Sequence, residues 1–145
     1  MEITYPKSPY LKTRGIYYFA RMVDKIRLRQ RARLDTSYLP NMGMYFDEKC
    51  CKFLGVTYGG VVEKVEAGLD DEAILDWCFE NGGIPDEFQI HVWNEFMRKW
   101  GLHDSGAARL KERIEESGLG DRTDIRSVFD FIEADEKRPI PRFDS

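Results

Sequence analysis

The sequence predicts an all-α fold, a single irregular bundle of about six or seven short helices. Three observations lead there. Apolar residues recur at three- and four-residue spacing in segment after segment, the period of a helix with one buried face. Glycine, proline and aspartate interrupt those segments too often for four long helices. No stretch reads as a strand, and Gly55 to Tyr58 is too short to pair alone. The 145 residues suit one domain spanning 1–145, large enough to bury its own core.

Residues 1–13 hold Pro6, Pro9, Tyr5 and Tyr10 and read as an extended segment lying on the core. Arg14 to Arg33 reads as the first helix, with Ile16, Phe19, Ala20, Val23 and Ile26 on its apolar face, widened by Tyr18 and Met22. A loop with Pro40, Asn41 and Gly43 follows. Asp47 is placed to cap a short helix that Gly55 ends. Tyr58 to Ala67 is next, then a helix capped by Asp70 or Asp71 and stopped at Gly82 and Gly83. Pro85 opens a helix to Trp100, whose predicted inner stripe is Phe88, Val92, Trp93, Phe96, Met97 and Trp100. Ser105 to Ser117 forms a thinner amphipathic helix. Thr123 or Asp124 caps the last one, with Ile125, Val128, Phe129 and Ile132 inward. Residues 137–145 form a proline-containing tail.

The net charge of −4 hides a division. Residues 1–33 carry nine Lys and Arg against two acids, a net +7, and the remainder carries thirteen against twenty-four, a net −11. Such asymmetry marks either a basic binding face or a basic helix neutralised by its neighbours. No apolar run is long enough for a transmembrane helix, and no signal-peptide pattern follows Met1. Adjacent Cys50 and Cys51 are poor partners for one another, and a bridge from either to Cys78 leaves an odd thiol. The expectation is a cytoplasmic protein with free thiols and no membrane partner.

The stretch Phe19 to Arg27 threads Arg21, Asp24, Lys25 and Arg27 through a core-forming helix. Arg21 and Asp24 stand three apart, as do Asp24 and Arg27, so each pair can share a face. Such a group needs acidic partners or an anionic ligand, because arginine clamps a carboxylate or phosphate with parallel hydrogen bonds. Asp47, Glu95 and Asp130 are candidate acids for a salt-bridge network, and Asp47, Asn94 and Glu95 are candidate walls of a ligand pocket. Arg27, Arg29, Arg31 and Arg33 alternate with other residues, and on a helix that spacing scatters side chains around the axis.

Cys50 and Cys51 are candidate reactive thiols, since a helix N-terminus lowers a thiol pKa; their structural role is as small hydrophobes. Glu87, His91 and Glu95 share a helix face but make only half a metal site, so no metal and no cofactor is expected. His103 and Asp104 have no serine or cysteine partner in the sequence. Gly59 and Gly60 serve close packing or an anion at a helix start. Arg138 to Arg142 is faintly like a proline-rich ligand.

Ala20 to Arg27, Phe46 to Val56, Asp71 to Trp77 and Trp93-Asn94 together resemble a family of small bacterial domains of unknown function, with an Arg-Met-(Leu/Ile/Val)-Asp-Lys helix near the N-terminus. The resemblance covers roughly residues 6–100 and marks Arg21, Asp24 and Lys25 as motif positions; it implies no reaction. Three functions follow in rank. First is a module binding a small anion or a protein partner through the charged cluster of the first helix. Second is a small-molecule enzyme with Lys25 or a cysteine as nucleophile and Asp24 or Glu95 as acid-base partner. Third and last is a nucleic-acid accessory protein using residues 25–33. The sequence leaves the oligomeric state open.

Overall fold

A hairpin precedes the first helix and shortens it. Lys12–Thr13 (β1) and Ile16–Tyr17 (β2) pair antiparallel, joined by Arg14 and Gly15 with φ of 49° and 79°. Two consecutive positive φ angles are what a two-residue type I′ turn requires, and glycine takes the second without steric cost. The predicted helix from Arg14 therefore begins only at Phe19, and the expectation of no strand is corrected by this small sheet. The computed structural model describes residues 3–143, so the predicted extended segment and tail each reach two residues beyond the described residues.

Among the described residues, seven α-helices and one 3₁₀ helix give the all-α architecture that the periodicity predicts. They are α1 (Phe19–Gln30), the 3₁₀ turn Thr36–Asn41, α2 (Phe46–Leu54), α3 (Tyr58–Glu66), α4 (Asp71–Gly82), α5 (Glu87–Lys99), α6 (Ala107–Glu116) and α7 (Val128–Asp135). The chain gathers into two compact units, 1–93 and 94–145, divided within α5.

The first unit is built on α1. Phe19, Met22 and Val23 from α1, Leu54 from α2, Val61 from α3 and Ile74 and Leu75 from α4 are each fully buried. Pro6 and Pro9 are buried too. Thr57 caps α3 by accepting from the Gly60 amide, and Asp70 caps α4 by accepting from Ala73, as their residue types dictate. The ends of α2 and α4 cross at backbone contact: a Cβ on Gly82 would stand 1.8 Å from the Leu54 carbonyl oxygen. The C-terminus of α1 is a Schellman turn. Arg33 N–H donates to Leu28 O, Ala32 N–H donates to Arg29 O, and Ala32 holds φ 55°. The helix therefore stops at Gln30, short of the predicted Arg33.

Asp86 opens α5: its carboxylate accepts from the Gln89 amide while the Gln89 side chain accepts from the Asp86 amide, both at 2.8 Å, a reciprocal capping box. Trp93 stacks on Phe53 at 4.7 Å and donates its indole N–H to Tyr17 O. The predicted stripe is only half inward. Trp93 and Met97 are buried, but Phe88, Val92 and Phe96 are 72%, 47% and 43% exposed. Four-residue spacing puts these three on a neighbouring face of the same helix.

In the second unit, α6 packs on α7. The Asp104 carboxylate accepts from the amides of Gly101 and Gly106. The last helix starts later than Thr123 or Asp124, because Ser127 and Asp130 form its capping pair: Ser127 Oγ accepts from Asp130 N–H, and the Asp130 carboxylate accepts from Arg126 N–H. Arg138 ties the start of the tail to the buried Glu133 and Glu136, and Phe143 lies on the Arg98 guanidinium.

Candidate functional site

The charged residues of α1 do not converge on one pocket. They sort into a buried set, a flanking set and an exposed end.

The buried set links α1 to α2. Lys25 Nζ stands 2.8 Å from Asp47 Oδ1 and donates to the Tyr18 hydroxyl at 3.1 Å. That hydroxyl donates to the same Asp47 oxygen at 2.6 Å. The other oxygen, Oδ2, accepts from the Gly43 amide at 3.0 Å. Asp47 is 0% exposed and Lys25 5% exposed, so the pair would be costly to bury without these added bonds. Burial pushes the Tyr18 hydroxyl well above its usual range, helped by the Asp47 charge. Tyr18 also has φ 79°, rare for an aromatic residue.

Asp47 thus does not cap α2 as predicted. The position before that helix, Tyr45, offers no side-chain cap, and the Asp47 carboxylate turns inward. The sequence placed Tyr18 on the apolar face and missed its hydroxyl's part in the cluster. A lone aromatic separated from Asp47 by 29 residues carries no local signal for the contact. Gly43 is fixed from both sides, with φ 76° and a virtual Cβ 3.0 Å from the Tyr58 ring. The Tyr58 hydroxyl is itself buried with no hydrogen-bond partner among the described residues.

The flanking set also finds partners within the fold. Arg21 donates to Lys7 O at 3.1 Å, and its guanidinium lies 5.9 Å from the Tyr38 ring centroid. Asp24 accepts from the Lys7 amide at 3.0 Å rather than meeting Arg21 or Arg27 in the predicted α1 pairs. Arg27 pairs with Asp71 at 2.9 Å. An open groove of about 470 Å³ beside this pair is lined by Lys7, Arg27 and residues 68–72. Glu95 and Asn94 lie in the second unit, where Glu95 pairs with Arg98 and Lys99 of its own helix.

Lys25 has the contacts of an ammonium donor, whereas a nucleophilic amine needs a free lone pair. Cys50 and Cys51 are buried. Burial raises Cys50 well above its normal range and pushes Cys51 up to about 12, with the Asp47 charge adding to both. The thiolate that reactivity needs is therefore disfavoured, contrary to the lowered pKa expected at a helix start. Among the described residues, no group of three or more His, Cys, Asp and Glu stands close enough to hold a metal ion. Among the described residues, no helix is long and apolar enough to cross a membrane.

The exposed end is different. Arg29, Arg31 and Arg33 are all exposed, and none forms an ion pair among the described residues. The Arg29 guanidinium lies 3.8 Å from the Met42 sulfur. They stand at the negative pole of the α1 dipole, which favours cations.

No curated protein matches this sequence. A family model does match, over residues 3–138, and by that near-complete coverage the chain belongs to the domain of unknown function DUF5069.

Proposed function

We propose that this domain is a binding module that docks an anionic partner on the exposed arginines at the end of α1. One observation supports this over an internal pocket. Lys25 is bonded to Asp47 and Tyr18, Arg21 to the Lys7 carbonyl, and Arg27 to Asp71. Among the described residues, Arg29, Arg31 and Arg33 have no carboxylate partner, although the chain is rich in acids. Unneutralised guanidinium groups attract phosphates, sulfates and carboxylates locally even when the whole molecule is acidic. The buried Tyr18–Lys25–Asp47 cluster supports the reading indirectly by fixing the start of α2 and the 42–45 loop against α1.

The test is retention on immobilised heparin at pH 7.5. A chain with net charge −4 gains nothing from its overall charge there, so retention reads a local patch. The wild-type protein elutes only with added salt. The variant R29A/R31A/R33A elutes in the flow-through with an unchanged circular dichroism spectrum. Equal retention of the two, or no retention of the wild type, overturns the reading.

A further inference from the structure

We infer that the exposed apolar face of α5 pairs with the same face of a second copy of this chain, the two helices running antiparallel. The face lies on one uninterrupted helix of 13 residues. Phe88, Val92 and Phe96 stand four residues apart, so they form a single row along it, and each is exposed. Ile84, just ahead of the helix, is exposed as well, and the Trp100 ring extends the row by lying 5.5 Å from that of Phe96. Scattered apolar side chains are ordinary on a protein surface, but a continuous row with two phenylalanines marks an interaction face.

The charges beside that row select the partner. Glu87, His91, Glu95 and Lys99 form the adjoining row, again at four-residue spacing. The helix carries Glu87 in its first turn and Arg98 and Lys99 in its last. A face that is acidic at one end and basic at the other is its own complement when a copy is turned end for end. A two-fold axis through Val92 sets Phe88 against the partner's Phe96. The same axis brings Glu87 toward the partner's Lys99 and Glu95 toward the partner's His91, and every contact occurs twice, as in any isologous interface. Parallel pairing would set acid on acid and base on base. An anionic lipid surface would want basic residues along the apolar row, whereas Glu87 and Glu95 border this one. A contact limited to one helix face lies at the small end of specific interfaces, about 1,200 Å² or less, so the dimer is weak and its population rises with protein concentration.

Sedimentation equilibrium at low salt, from micromolar concentrations to about 1 mM, tests this. The wild-type protein shifts from monomer to dimer over that range. Val92→Glu sets two carboxylates against each other on the two-fold axis and weakens association about tenfold or more. Phe88→Ser does the same by removing the apolar contact. Both variants keep the wild-type circular dichroism spectrum, because both side chains face solvent in the monomer. Glu87→Lys and Lys99→Glu each weaken association severalfold, and the double variant Glu87→Lys/Lys99→Glu restores it. A protein that stays monomeric throughout overturns the inference and leaves the face to a different protein. A dimer that survives Val92→Glu uses another surface and also overturns it. A dimer that Val92→Glu breaks, but that the charge exchange does not restore, overturns the antiparallel pairing. The heparin test of the α1 arginines is independent of all three outcomes.

Discussion

The Asp47 carboxylate joins α1, α2 and the 42–45 loop. Its two oxygens, themselves fully buried, receive a buried lysine ammonium, a buried tyrosine hydroxyl and a part-buried loop amide. Removing its charge leaves Lys25 buried without compensation, which costs about 3–5 kcal/mol. Asp47→Asn should therefore lower the free energy of unfolding by about that much in urea titrations. The double variant Lys25→Met/Asp47→Leu should lose much less, because no stranded charge remains. Equal losses would mean that packing, not charge, explains the Asn result. The sequence marked Lys25 and Asp47 as candidate partners from charge alone. It could not mark Tyr18 or Gly43, whose parts depend on where the 42–45 loop returns in space.

At the scale of elements, boundaries were legible where a side chain caps its own helix. Asp70, one of the two candidate caps, is the example, and α4 starts just after it. Boundaries were lost where backbone geometry decides. Arg14-Gly15 makes a hairpin turn where the periodicity predicts helix, and Ala32 ends α1 although alanine is the strongest helix former. Similarly, the apolar positions of α5 have helical spacing, but spacing alone does not say which of two adjoining faces another element covers. That is why Phe88, Val92 and Phe96 remain in solvent. The Ala32 geometry gives a direct test. An L-residue with a side chain sits there at φ 55°, where glycine is unstrained, so Ala32→Gly should stabilise the protein by about 1 kcal/mol. A lower melting temperature for that variant would show that the unfolded-state entropy of glycine outweighs the relieved strain.

For the whole molecule, the division into +7 and −11 is only partly cancelled by the fold. Arg14 meets Glu72 and Asp76, Lys7 and Arg27 meet Asp71, and Lys25 meets Asp47; among the described residues, the last arginines of the basic segment form no ion pair. The reading of a basic helix neutralised by its neighbours thus describes a part of it, and the ratio of charges could not reveal which residues that part includes. Global stability has its own titration. Burial raises Cys51 to about 12 and Cys78 to about 11, and raises Cys50 and Tyr18 as well. The folded chain keeps protons that the unfolded chain releases above about pH 9. Stability should then be full below pH 9 and fall as pH rises toward 11–12. Urea midpoints at pH 8 and pH 10.5 measure this, and Cys51→Ala/Cys78→Ala should flatten the early part of the fall. Midpoints that do not move would contradict the raised thiols.

The Gly43 amide belongs to a loop, and loop amides ordinarily trade their hydrogens with solvent within the native state. This one donates to a carboxylate that is wholly buried and shared with a lysine and a tyrosine. Its hydrogen can leave only when the contact between α1 and α2 opens. Deuterium uptake at Gly43 should accordingly be as slow as at the core amides of α1, while exposed loop amides nearby exchange fast, making a single glycine a reporter of whether the two helices are joined.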